Sequence, residues 1–111
     1  MTAAEAEDAR AACLAAFDDR MACRHGLLRA RLAESSAEVA RVSGVLAHEA
    51  RHLSAADQQR VQQEEGAAAF RLGVVRRRAE EHAPQTAAKR RELEAKLAAD
   101  KRLAAALAAG N

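Results

Sequence analysis

The side chains with most to offer chemically in this 111-residue chain are four histidines, sixteen carboxylates and two cysteines. His48-Glu49-Ala50-Arg51-His52 is a literal H-E-x-x-H. On an α-helix, histidines four apart share a face and can hold zinc, while the intervening carboxylate activates a zinc-bound water. Nine residues lie between Cys13 and Cys23. Within one continuous helix that separation is about 15 Å of rise, far beyond the reach of a disulfide.

The pentapeptide resembles the zinc-binding helix of zincin metalloproteases, and the resemblance covers those five residues alone. It would imply a metal on His48 and His52 with Glu49 as general base. Arg51 puts a charge where that family keeps an uncharged residue. No third histidine follows at metzincin spacing, and Glu64 or Glu65 as a third ligand would have no sheet or cleft around it. In a helix so rich in Ala, Glu, His and Arg the motif reads as fortuitous, so His48, Glu49 and His52 are assigned no metal. The cysteines resemble one half of the twin C-x9-C hairpins of the mitochondrial intermembrane space. Those hairpins need a second pair, which this chain does not have, so Cys13 and Cys23 read as buried small hydrophobes. His25 and His82 lie outside any ligand spacing and read as seam or surface residues. With no Gly-rich phosphate loop, nucleophile elbow or paired buried carboxylates, the sequence predicts a non-enzyme without a cofactor.

The elements that carry these side chains follow from composition. Half of the residues are hydrophobic, but most of those are alanine, and there are two Phe with no Tyr or Trp. Aromatics supply large buried areas to globular cores, so a thick multilayer core is not expected. The β-branched residues are six Val and two Thr, with no Ile. Ala, Arg, Glu, Leu and Gln all favour helix, so β and doubly wound α/β folds are excluded. No run reaches the roughly 18 apolar residues of a membrane span. The acidic start, Met1-Thr-Ala-Ala-Glu-Ala-Glu-Asp, is neither a secretory signal nor an Arg-rich transit peptide. The expected compartment is the cytosol, with the cytoskeleton or the nucleus as variants and secretion excluded.

Heptad spacing sets the architecture. Leu14, Met21, Leu28, Leu32, Val39, Val42, Leu46 and Leu53 recur by sevens, threes and fours. The register passes through Ser35 and Ser36 unchanged, which argues against a break there. Asp18, His25, Ser35 and Glu49 fall on seam slots and weaken it. Thr2-Ala-Ala-Glu5 and Ser54-Ala-Ala-Asp57 are capping-box starts. A second stripe runs through Val61, Ala68, Leu72, Val75 and Ala79, with Phe70 and Val74 beside it and open to a further neighbour. Pro84 disfavours helix at Ala83. A last helix carries Leu93, Leu97, Leu103 and Leu107, with Gly110 as its stop. The expectation is an all-α, single extended element over 1–111: an antiparallel coiled-coil hairpin. It has a helix over about 3–52, a turn at 53–54, a helix over about 55–82, a kink or turn at Pro84, and a helix over about 85–108.

Charge divides along the chain. Residues 1–70 carry eight basic and eleven acidic side chains, and residues 71–111 carry ten and five. Arg76-Arg77-Arg78 and Lys89-Arg90-Arg91 form two clusters spaced like a bipartite nuclear-localisation signal. The competing reading is a solvated helix face in which Glu80, Glu81, Glu92 and Glu94 pair with neighbouring turns. No aromatic platform supports single-strand binding.

The function these features imply is structural. A long seam over a thin core predicts a small subunit that packs lengthwise on a larger protein assembly, cytoskeletal or axonemal, or that self-associates through its coiled coil. The alternative is a nucleic-acid-binding or nuclear adaptor that uses the basic 71–102 segment.

Overall fold

In the computed structural model, which describes residues 1–110, the chain is all-α, and no strand occurs among the described residues. Helix α1 spans Ala3–Glu49, a 3-10 turn Ala50–His52, α2 Ala55–Ala99 and α3 Lys101–Ala109. None of these helices is long and apolar enough to cross a membrane. At both starts the hydroxyl half of the expected capping box forms, without the reciprocal bond to the Glu5 or Asp57 carboxylate. Thr2 Oγ1 accepts from the Glu5 N–H at 3.1 Å, and Ser54 Oγ accepts from the Asp57 N–H at 3.1 Å. Helix α1 runs through Ser35 and Ser36 without a break, as the register required.

Three boundaries differ from the sequence reading. The first helix ends at Glu49 rather than near residue 52. The 3-10 turn takes over there and is held by its own bonds: Leu53 N–H donates to Ala50 O at 3.1 Å, and the Gln58 side-chain amide donates to both Ala50 O and Leu53 O. The helix also does not stop at Pro84, which lies inside α2. Pro84 sits on an exposed position, whereas His82 and Thr86 on either side of it keep inward positions, so only one backbone N–H is lost from a ladder whose packed face continues. The interruption comes instead at Asp100, whose carboxylate accepts from the Arg102 and Leu103 N–H groups, both at 3.0 Å. A residue whose side chain satisfies two orphan donors makes a new helix start there favourable.

The chain forms two units. One is His25–Glu81, in which the end of α1 and the start of α2 pair antiparallel across the 50–54 turn. Its inward positions are Leu28, Leu32, Ser35, Val39, Val42 and Leu46 from α1, with Val61, Glu65, Ala68, Leu72, Val75 and Ala79 from α2. Val42, at 2% exposure, is the most enclosed large side chain. Ser43 Oγ donates to Glu65 Oε2 at 2.9 Å, and Arg71 pairs with Glu38. These contacts give the register: toward the N-terminus on α1, partners move toward the C-terminus on α2.

The other unit joins Met1–Arg24 to the chain from His82 onward. Ala6, Phe17, His82 and Ala106 are buried in it, and Leu14, Met21, Leu93, Leu97, Leu103 and Leu107 are half-buried. Here the seam slots need correction. Asp18 is exposed, and Phe17, one position earlier, takes the inward place at 7% exposure. A 100° step lets either residue reach the seam, and the ring buries apolar area that a carboxylate cannot. Cys13 is half-buried and Cys23 is exposed, both as free thiols, so Cys23 is not the buried hydrophobe expected. Gly110 lies against Ala3, and a Cβ built on it would collide with the Ala3 Cβ.

Candidate interaction surface

The H-E-x-x-H residues do not share one α-helical face. His48 and Glu49 are in the last turn of α1, while His52 ends the 3-10 turn, and all three are exposed. A 3-10 segment turns 120° per residue rather than 100°, so the i, i+4 geometry that zinc needs is lost at Ala50. No group of three or more His, Cys, Asp or Glu placed to hold a metal occurs among the described residues.

The two basic clusters have different fates. In the second, Arg90 is committed: its Nε donates to Asp18 Oδ1 at 2.9 Å, its Nη2 to Asp18 Oδ2 at 3.2 Å, and its Nη1 to Glu94. The hydrogen bond from Arg90, with the Coulomb attraction of the guanidinium, holds the Asp18 carboxyl below its ordinary value against a smaller desolvation effect. The same pair pushes the Arg90 guanidinium further up. Lys89 and Arg91 beside it are exposed. In the first cluster, Arg76, Arg77 and Arg78 are all exposed and form no ion pair among the described residues.

Folding also cancels the charge asymmetry seen along the sequence. In the unit built from Met1–Arg24 and the chain from His82 onward, a first arm with three basic and five acidic residues lies beside a second with six and three, whereas in His25–Glu81 each arm is near neutral by itself. His25–Glu81 holds nine basic and eight acidic residues, and the other unit likewise holds nine and eight. Neither is the polycationic surface that phosphate-backbone binding relies on.

The seam residues named from the sequence are half-buried or buried in their units, except two. Phe70 is 74% exposed and Val74 is 36% exposed. They stand one turn apart on α2 and line a surface groove with Arg31, Glu34 and Ser35 of α1 and with Arg71 and Val75. Leu27, 60% exposed, falls one turn before Arg31 on the same flank of α1. Leu27, Phe70 and Val74, with Met1, are the large apolar side chains left exposed among the described residues. The sequence pointed to Phe70 and Val74 through their offset from the stripe. It gave no sign of Leu27 or Arg31, because only the antiparallel register sets α1 beside them.

A family profile described as dynein regulatory complex subunit 7 C-terminal matches residues 1–107. A relative from Chlamydomonas reinhardtii, dynein regulatory complex subunit 7, is 36% identical over 105 residues, which cover 95% of this chain and 9% of the relative. The chain thus spans about a tenth of the length of the protein it matches. With nearly every described helical residue inside the matched segment, the chain belongs to the dynein regulatory complex subunit 7 C-terminal family.

Proposed function

We propose that the chain is a non-enzymatic structural element of the axoneme, a helical hairpin module through which a dynein regulatory complex subunit packs against its neighbours. The observation that carries this reading is the near-complete match to that subunit's C-terminal segment. The structure supports it in physical terms. The seam is used up inside each unit, the core is too thin to enclose a reaction, and Phe70, Val74 and Leu27 remain outside for other proteins. Cytoskeletal placement follows from the same reading, and nothing in the comparisons supports the nuclear alternative. The nucleic-acid alternative is disfavoured by the near-neutral charge of each unit and by the Asp18 and Glu94 partners of Arg90.

The test is to express the longer protein, with and without this segment, in a ciliated cell and to measure its retention in detergent-extracted axonemes. Loss of most of the protein from the axoneme on deletion is expected. Unchanged retention would sink the reading.

A further inference from the structure

We infer that the groove beside Phe70 and Val74 docks one amphipathic helix of another polypeptide, one that carries an apolar pair at i, i+4 followed by acidic residues; this deepens the packing role proposed above. Phe70 and Val74 form a ridge one turn long, parallel to the α2 axis, with Val75 and the Arg31 and Arg71 side chains along the groove. A ridge of that period between two antiparallel helices is complemented by a third helix with its own i, i+4 apolar pair.

Charge supplies the rest of the partner's description. At the Phe70 end the groove is internally neutral, because Arg71 is paired with Glu38. By the antiparallel register Arg31 of α1 falls at the level of Arg77 and Arg78, one turn beyond Val74, and all three are exposed, with Glu34 and Glu81 the acids on the same flank. None of these five is in an ion pair among the described residues. That end therefore has a surplus of positive charge and planar donors suited to carboxylates. A second copy of this chain does not meet the requirement. A two-fold pairing centred on Phe70 and Val74 would set the Arg31 level of one copy opposite the Arg41 and Ala67 level of the other, where Glu64 lines a groove with Arg41 and Glu38 is already paired with Arg71, so a second copy brings no surplus of acid.

A benzoylphenylalanine photo-crosslinker at position 70 of the longer protein, activated in living ciliated cells, reads the occupant directly by mass spectrometry of the adduct. The expected adduct lies on an acidic amphipathic helix of a different polypeptide. Its yield should fall about fivefold or more with the paired charge reversals Arg77→Glu and Arg78→Glu. Arg76→Glu, turned to the opposite flank, should leave it unchanged. An adduct on a second copy, on another part of the same polypeptide or on a basic or non-helical segment overturns the inference, as does no adduct or a yield indifferent to Arg77 and Arg78. Circular dichroism of each variant separates loss of docking from loss of fold. An acidic-helix adduct on a protein foreign to the axoneme would keep the docking site and sink the axonemal reading. Axonemal retention with no such adduct would do the reverse.

Discussion

Arg90 grips Asp18 with two of its nitrogens across 72 positions of sequence, at 2.9 and 3.2 Å, and holds Glu94 with a third. One guanidinium thus ties α1 to α2 and α2 to its own next turn.

The pair makes a pH prediction. The Asp18 carboxyl is depressed in the folded chain, so the unfolded chain binds its proton more tightly. The pair's contribution is therefore present above the ordinary carboxylate value of 3.8 and fades as the pH falls through the lower, folded value. An NMR titration should find the Asp18 carboxyl below its ordinary value, and Arg90→Gln should return it toward that value. Asp18→Asn should flatten the acid limb of the thermal stability profile. Because both side chains are partly solvated, 0.5 M salt should weaken the effect.

Phe17→Ala should destabilise the chain by about 3 kcal/mol, the scale of losing a buried ring. Asp18→Ala at the adjacent position should cost much less. Urea denaturation of the two variants decides which of them faces the seam, and equal losses would contradict the structure.

Pro84→Ala should raise the melting temperature. Proline in a helix interior costs about 3 kcal/mol against alanine, and the exposed position of Pro84 lets an alanine fit without new contacts. Helix content by circular dichroism should stay the same. A fall in stability would mean that the ring is serving a packing role.

At the hairpin tip, Gln58→Ala removes the amide that donates to Ala50 O and Leu53 O. Ser54→Ala removes the cap on Asp57 N–H. Each should cost about 1 kcal/mol. Amide exchange should accelerate first at residues 50–58, before it does in the seam.

Alanine fills much of both units, so the isolated chain should be highly helical yet melt broadly. Leu46→Asp, at a half-buried seam position, should disturb it far more than Arg51→Ala, which is exposed. A sharp, strictly monomeric melt above about 65 °C, the upper edge of the usual mesophile range, would show that the hairpin closes a sufficient core by itself.

These residues also show how far the sequence could be read. The spacing of Leu28, Leu32, Val39, Val42 and Leu46 carries the seam because a heptad tolerates few alternatives over several turns. Thr2 and Ser54 mark helix starts because their hydroxyls have one obvious use. Phe17 was lost to Asp18 because a slot assigned by counting is blind to which neighbour gains more from burial. Pro84 was given too much weight: a helix with packed residues on both sides survives one missing donor. The true interruption at Asp100 was written as an ordinary cap ahead of Leu103, but it lay inside a run that reads as continuous helix. The groove was half legible. Phe70 and Val74 announced themselves, whereas Arg31 and Leu27 join them only through the register of the folded arms.

The contact between Gly110 and Ala3 has a mechanical consequence. Because these two positions lie together, tension applied through them would peel the arms apart like a zipper, layer after layer. It would not shear all the layers at once. The first to yield would be the alanine layer at Ala6 and Ala106, then the Leu14 and Leu97 layer, and after it the Phe17 and Asp18–Arg90 layer, so each step would need little force.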